Sequence, residues 1–149
     1  MLGCGGKTEY RYVNNPGEDK EQQQADQCLA NIKQLSTAVL VYISDYDDVF
    51  PSGDWSGVQP YYKSEWLTSC PTLYKKGEQH FHYAFNKDLL EVPMPIVDDL
   101  AHTPMFFEVA TDVPFQVDEF ANILQSSRHK GLVFYSNADG STASIPPTD

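Results

Sequence analysis

The sequence predicts an α+β fold, with one long N-terminal amphipathic helix packed on a small antiparallel β-sheet that ends in a C-terminal hairpin. Three observations carry this prediction. Apolar residues recur at three- and four-residue intervals over residues 20–47; short alternating or apolar runs follow, punctuated by proline and glycine; and Asp139-Gly140 separates two strand-like runs near the end. A chain of 149 residues suits one domain, which at this size buries roughly 68–70% of its unfolded surface and builds a core without help from metals.

Residues 1–18 read as a tether, with Cys4-Gly5-Gly6 near the start and Asn14-Asn15-Pro16-Gly17 as turn chemistry that precludes a helix. Residues 19–149 are therefore expected to form the single folded domain. Within it, Ala25, Cys28, Leu29, Ile32, Leu35, Val39, Tyr42, Ile43 and Tyr46 mark one face of a helix of about seven turns. Its first turn, Glu21-Gln22-Gln23-Gln24, is polar all round, so packing should begin at Ala25, and Pro51 should stop the helix.

After Pro51 the elements become short. Asp54-Trp55-Ser56-Gly57 and Pro60 mark loops, and residues 61–67 predict a brief helix before Cys70-Pro71. Residues 79–86 predict a strand with His80, His82 and Ala84 on one face and Phe81, Tyr83 and Phe85 on the other, the aromatic face turned inward. Residues 104–110 predict another strand, and Val117, Phe120, Ile123 and Leu124 a short helix following Pro114. Residues 131–136 and 141–145 then pair as a hairpin, with Asp139-Gly140 as its two-residue turn.

Composition narrows the function classes. A net charge of −11, from 21 acidic and 10 basic residues, repels a phosphate backbone, so nucleic acid is not an expected partner. The longest apolar stretch, residues 38–43, is far short of the ~20 residues a membrane helix needs, so no transmembrane span is expected. Leu2-Gly3-Cys4 looks like the end of a bacterial lipoprotein signal, which makes Cys4 a lipidation candidate. A single acyl chain binds a membrane only marginally, and stable anchoring takes a second. Cys28 and Cys70 form an even pair, either a disulfide or two buried thiols. As a disulfide, closing a loop of about forty residues contributes roughly 4 kcal/mol on chain-entropy grounds.

His129 precedes Asp139-Gly140 by nine intervening residues, and further short motifs stand in order before it. They include Cys28-Leu29-Ala30-Asn31-Ile32-Lys33-Gln34-Leu35, Asp45-Tyr46-Asp47, Phe50-Pro51, Gln59-Pro60-Tyr61-Tyr62-Lys63, Cys70-Pro71, Tyr83-Ala84-Phe85-Asn86 and Thr103-Pro104-Met105. Over about residues 25–145 the chain resembles the prepilin-type family named for a histidine, nine residues and Asp-Gly. The resemblance implies a pilin-like fold, related to the major pseudopilins of type II secretion. It also implies a non-enzymatic protein of the periplasm or cell surface that contacts other pilin-like or secretion-assembly proteins. Family members usually begin with a strongly apolar half-helix; here residues 20–24 are too polar for lipid or a filament core. A lipid on Cys4 is the candidate replacement for that anchor.

Several residues are candidates for chemistry. Secretion pseudopilins often hold calcium in a C-terminal loop, so the resemblance makes calcium a candidate cofactor, with Asp45, Asp47, Asp48 and Asp112 as donors. An EF-hand is excluded, because its sixth and twelfth places are Phe50 and Ser56. His80 and His82, alternating on a strand, suit a zinc or copper site if a third ligand converges. His129 is either a ligand or a loop histidine bonded to carbonyls, and Asp139-Gly140 is favoured hairpin chemistry. No serine-nucleophile elbow, His-Glu-x-x-His helix or phosphate-binding glycine loop occurs, so no catalytic residue is assigned. Two alternatives remain alongside the pilin-like reading: a soluble calcium- or glycan-binding module with Trp55, Tyr61, Tyr62 and Trp66 lining a groove, and a metal-dependent hydrolase built on His80, His82 and His129.

Overall fold

The apolar periodicity of the first third of the domain becomes α1, Lys20–Asp45, in the computed structural model, which describes residues 20–75, 77–129 and 131–146. The proposed tether, Cys4 included, lies outside the described residues. One stripe of α1 is buried (Ala25, Cys28, Asn31, Ile32, Leu35, Ser36, Ala38, Val39 and Ile43), whereas Tyr46, expected on the same face, lies beyond the helix end and is exposed. Pro51 does not stop this helix. Asp47 and Asp48 do so first, adopting left-handed backbone at φ 58° and 61°, and the Asp48 N–H donates back to the Ile43 carbonyl at 2.8 Å.

Five strands follow: β1 Tyr83–Asn86, β2 Pro104–Glu108, β3 Val117–Asp118, β4 Val133–Asn137 and β5 Thr142–Ile145. They form one sheet in the order β3-β1-β2-β4-β5. The fold class is α+β, but the sheet is mixed where an antiparallel one was expected. β3 runs parallel to β1 with Phe85 opposite Val117, and the other pairings are antiparallel. The helix expected after Pro114 is replaced by β3 and a 3-10 turn, Phe120–Asn122. Side-chain bonding explains the change. The Gln116 amide donates to the carbonyls of Phe81 (2.7 Å) and Thr111 (2.9 Å), and its own carbonyl accepts from Phe85 N–H, which holds this segment extended along β1.

The helix expected over residues 61–67 is displaced to two 3-10 turns, Ser56–Tyr61 and Glu65–Thr68, the second capped by Ser64 Oγ accepting the Trp66 N–H at 3.2 Å. The first strand is shorter than expected because the His82 N–H turns to the Thr68 carbonyl at 2.9 Å. Both faces of the sheet are covered, so all four residues of β1 are buried. Phe81, Tyr83, Phe85 and Phe106 face the stripe of α1, while Ala84, Phe107, Val133, Ile123 and Leu124 form a second cluster on the opposite face.

Trp55 corrects one expectation. It is fully buried and lines no groove: its indole N–H donates to the Gln116 carbonyl at 3.0 Å, and its ring meets Phe106 and Phe115 edge-on at 5.0 and 5.1 Å. Of the four residues expected to line a groove only Trp66 is largely exposed, at 59%, and it packs on Tyr74.

The hairpin also differs in detail. Asn137 N–H donates to Ser141 O and Asn137 O accepts from Gly140 N–H, both at 2.8 Å, so the loop is the three residues Ala138, Asp139 and Gly140. Gly140 has φ +89°, the glycine-bulge conformation that closes three-residue hairpins. Asp139 steadies the exit, accepting from Ser141 N–H at 2.9 Å and Ser141 Oγ at 2.6 Å. The loop docks on α1: Lys33 Nζ donates to the Gly140 carbonyl at 2.7 Å, and a Cβ on Gly140 would stand 3.0 Å from Leu40 Cδ1.

Candidate metal centre

Four segments deliver polar side chains to one point in the core. Cys28 comes from the buried stripe of α1, Cys70 from the loop after the second 3-10 turn, Glu108 from the end of β2, and His129 from the loop before β4. Each is at most 1% exposed. Their nearest ligand atoms all lie within 4.8 Å of one another. His129 Nε2 is 3.1 Å from Glu108 Oε1 and 3.6 Å from Cys70 Sγ, and Cys28 Sγ is 3.6 Å from Glu108 Oε1.

A surrounding layer fixes these groups. Tyr83 Oη donates to Cys28 Sγ at 3.2 Å, and the Phe134 N–H donates to Glu108 Oε2 at 2.8 Å. Arg128 Nη1 stands 3.7 Å from Glu108 Oε1, its other nitrogen donating to the Val109 carbonyl. The His129 ring stacks on Phe134 at 5.3 Å, and its backbone N–H donates to Ser127 Oγ at 2.9 Å.

The electrostatics follow from burial and contact. The Cys70 thiol is lowered far below its usual range, first by the bond from Cys28 and then, against burial, by His129 and Arg128. Cys28 is raised, chiefly by desolvation and then by its bond to Cys70. Burial pulls His129 down, but its bonds to Cys70 and Glu108 outweigh that and raise it. Without a cation, the arrangement favours a Cys70 thiolate against a His129 imidazolium.

A second cluster lies nearer the surface. His80 Nδ1 is 2.6 Å and His82 Nε2 3.9 Å from Asp112 Oδ2, with the two rings stacked at 5.1 Å. The Asp112 carboxyl is held below its usual range; burial opposes this, but the Phe81 N–H at 2.7 Å and His80 prevail. The clusters touch through one bond, in which the Cys70 N–H donates to His82 Nδ1 at 2.8 Å.

The sequence candidates are thus redistributed. Cys28 and Cys70 do meet, as two free thiols, and His129 joins them rather than His80 and His82, so the three histidines do not form one site. Asp139 and Gly140 belong to the hairpin loop. Asp112 joins His80 and His82 and not the run from Asp45 to Asp48. Asp45 accepts from Tyr61 Oη at 2.8 Å, Asp47 and Asp48 cap the helix, and no cluster among the described residues contains them. Glu108 and Arg128 were missed. The signal for Glu108 was a lone carboxylate in the apolar run Met105-Phe106-Phe107-Glu108-Val109.

The four residues of the buried cluster are each at most 1% exposed. Two surface cavities, of about 390 and 210 Å³, are lined by Trp66 and Tyr74 and by no member of either cluster. No helix among the described residues is long and apolar enough to cross a membrane. No known protein family, curated protein or solved structure matches this chain.

Proposed function

We propose that this chain is a non-enzymatic, pilin-like protein of the periplasm or cell surface that works through protein contacts in a secretion or surface assembly. One observation carries the reading: the Asp-Gly end of the family-like motif is fastened to the helical spine, through Lys33 Nζ on the Gly140 carbonyl at 2.7 Å and Leu40 against Gly140. The histidine end of the motif is buried and converges with Cys28 of the same helix. The motif therefore ties hairpin, sheet and spine into one rigid body, which suits a building block better than a catalyst.

The test is site-specific photo-crosslinking in the native host, from Gln27, Gln34 and Val41 on the exposed side of α1, with the complete gene. Adducts in the envelope fraction to assembly components or to further copies are the expected result. Retention in the cytoplasmic fraction without adducts overturns the proposal.

A second reading rests on Trp66, whose exposed ring and Tyr74 partner stand between two cavities, a form of aromatic platform that stacks on sugar rings. Calorimetry against a glycan panel tests it. Binding lost in Trp66→Ala is expected on this reading, and absence of heat with every glycan removes it.

A further inference from the structure

We propose that Cys28, Cys70, Glu108 and His129 form a structural centre for one divalent metal ion of the zinc class. This inference is independent of the pilin-like reading and stands on the geometry of the four donors. Tetrahedral zinc, with bonds of roughly 2.0–2.3 Å to nitrogen, oxygen and sulfur, places its ligand atoms roughly 3.3–3.8 Å apart. The separations here are 3.1, 3.6 and 3.6 Å for His129 to Glu108, His129 to Cys70 and Cys28 to Glu108. The donor set of two sulfurs, one imidazole nitrogen and one carboxylate oxygen is the borderline-soft mixture that selects zinc over calcium or magnesium.

Charge and burial point the same way. Two thiolates and a carboxylate carry three negative charges in a space with no exposed surface, and a divalent ion together with the adjacent Arg128 guanidinium offsets all three. A Cys28–Cys70 disulfide would consume the sulfurs and leave the Glu108 carboxylate and His129 imidazole buried with each other, Arg128 and the Phe134 N–H. A metal engages all four groups. The outer layer is in place at two of the ligands, with Tyr83 Oη on Cys28 Sγ and Phe134 N–H on the second oxygen of Glu108. Binding forms two metal–sulfur bonds, one metal–nitrogen bond and one metal–oxygen bond. It releases to solvent the Cys28 thiol proton and the proton held between Cys70 and His129, and no electrons move. With four protein ligands and no open position the centre is structural, and it joins α1, the loop at Cys70, β2 and the loop before β4.

The test uses the full chain, produced in zinc-containing medium and purified anaerobically with reductant and without chelator. Zinc is removed and cobalt(II) titrated in, followed by zinc. One equivalent of cobalt is expected to give thiolate-to-cobalt charge-transfer absorption and the intense visible bands of a tetrahedral site, both abolished by one equivalent of zinc. Tyr83→Phe, which keeps the ring and removes the hydroxyl that bonds Cys28 Sγ and, at 3.4 Å, the Ser69 carbonyl, is expected to weaken zinc binding about 10- to 100-fold. His80→Asn is expected to leave the spectrum unchanged. Cys70→Ser is expected to lose charge-transfer intensity, with circular dichroism reporting whether it folds. The proposal is overturned by free, alkylatable thiols that give no cobalt spectrum, by a Cys28–Cys70 disulfide formed under these reducing conditions, or by cobalt bands without sulfur character that vanish in His80→Asn.

Discussion

Glu108 sets the chemistry of the core. A carboxylate with no exposed surface costs several kcal/mol to desolvate unless its lone pairs are engaged, and Glu108 meets that condition with the Phe134 N–H on one oxygen and His129 and Arg128 on the other. Gly140 is the most constrained residue of the hairpin. Gly140→Ala must hold an L-residue at φ +89° and push against Leu40, so a loss of about 1–2 kcal/mol in urea unfolding is expected. In a Leu40→Ala background the backbone part of that loss should persist. His82 gives the pH dependence. Its Nδ1 accepts the Cys70 N–H and is therefore unprotonated, and burial, with help from Arg128, lowers its pKa. Below the unfolded value of about 6.5 the unfolded chain takes up a proton that the folded chain refuses, so stability present above that pH is lost as pH falls. His82→Asn, whose Oδ1 can replace Nδ1 as acceptor, should flatten that acid limb in denaturation series at about pH 7.5 and pH 5. An acid limb identical to that of the unsubstituted protein would assign it to other groups.

At the scale of elements, legibility depended on periodicity. α1 was readable because twenty-six residues repeat one buried stripe, and β2 and the C-terminal strands because apolar runs sit between turn residues. β3 was not, since a two-residue strand has no period, and its extended form comes from the distant bonds of Gln116 to Phe81 and Phe85. The end of α1 was misread for a similar reason. Pro51 was the visible stop, whereas Asp47 and Asp48 end the helix through backbone conformation. Asp47→Gly relieves a left-handed aspartate and is expected to hold stability or raise it by up to about 1 kcal/mol, unaffected by added calcium. A loss of stability that appears only with calcium present would return Asp47 to the list of ligands.

Across the whole molecule, the buried cluster is a product of topology. Cys28 and Glu108 are eighty residues apart and Cys70 and His129 fifty-nine, and only the packing of α1 over β2 and β4 brings the four together. The sequence offered three of the four as separate clues: a cysteine pair and a motif histidine. It could not show that they share a point, because convergence of four elements leaves no local pattern. Trp55, read as one of four groove residues, was misassigned for the same reason, being claimed by the core through Gln116 and Phe106. With the proposed ion bound, this junction is a metal-bound knot at the base of a helical spine. Its most direct test is a crystal structure of protein grown with zinc and kept reduced, with anomalous data collected across the zinc absorption edge. A single peak bounded by Cys28, Cys70, Glu108 and His129 is the expected result, and no peak at that point, with the two sulfurs bonded to each other, would contradict it.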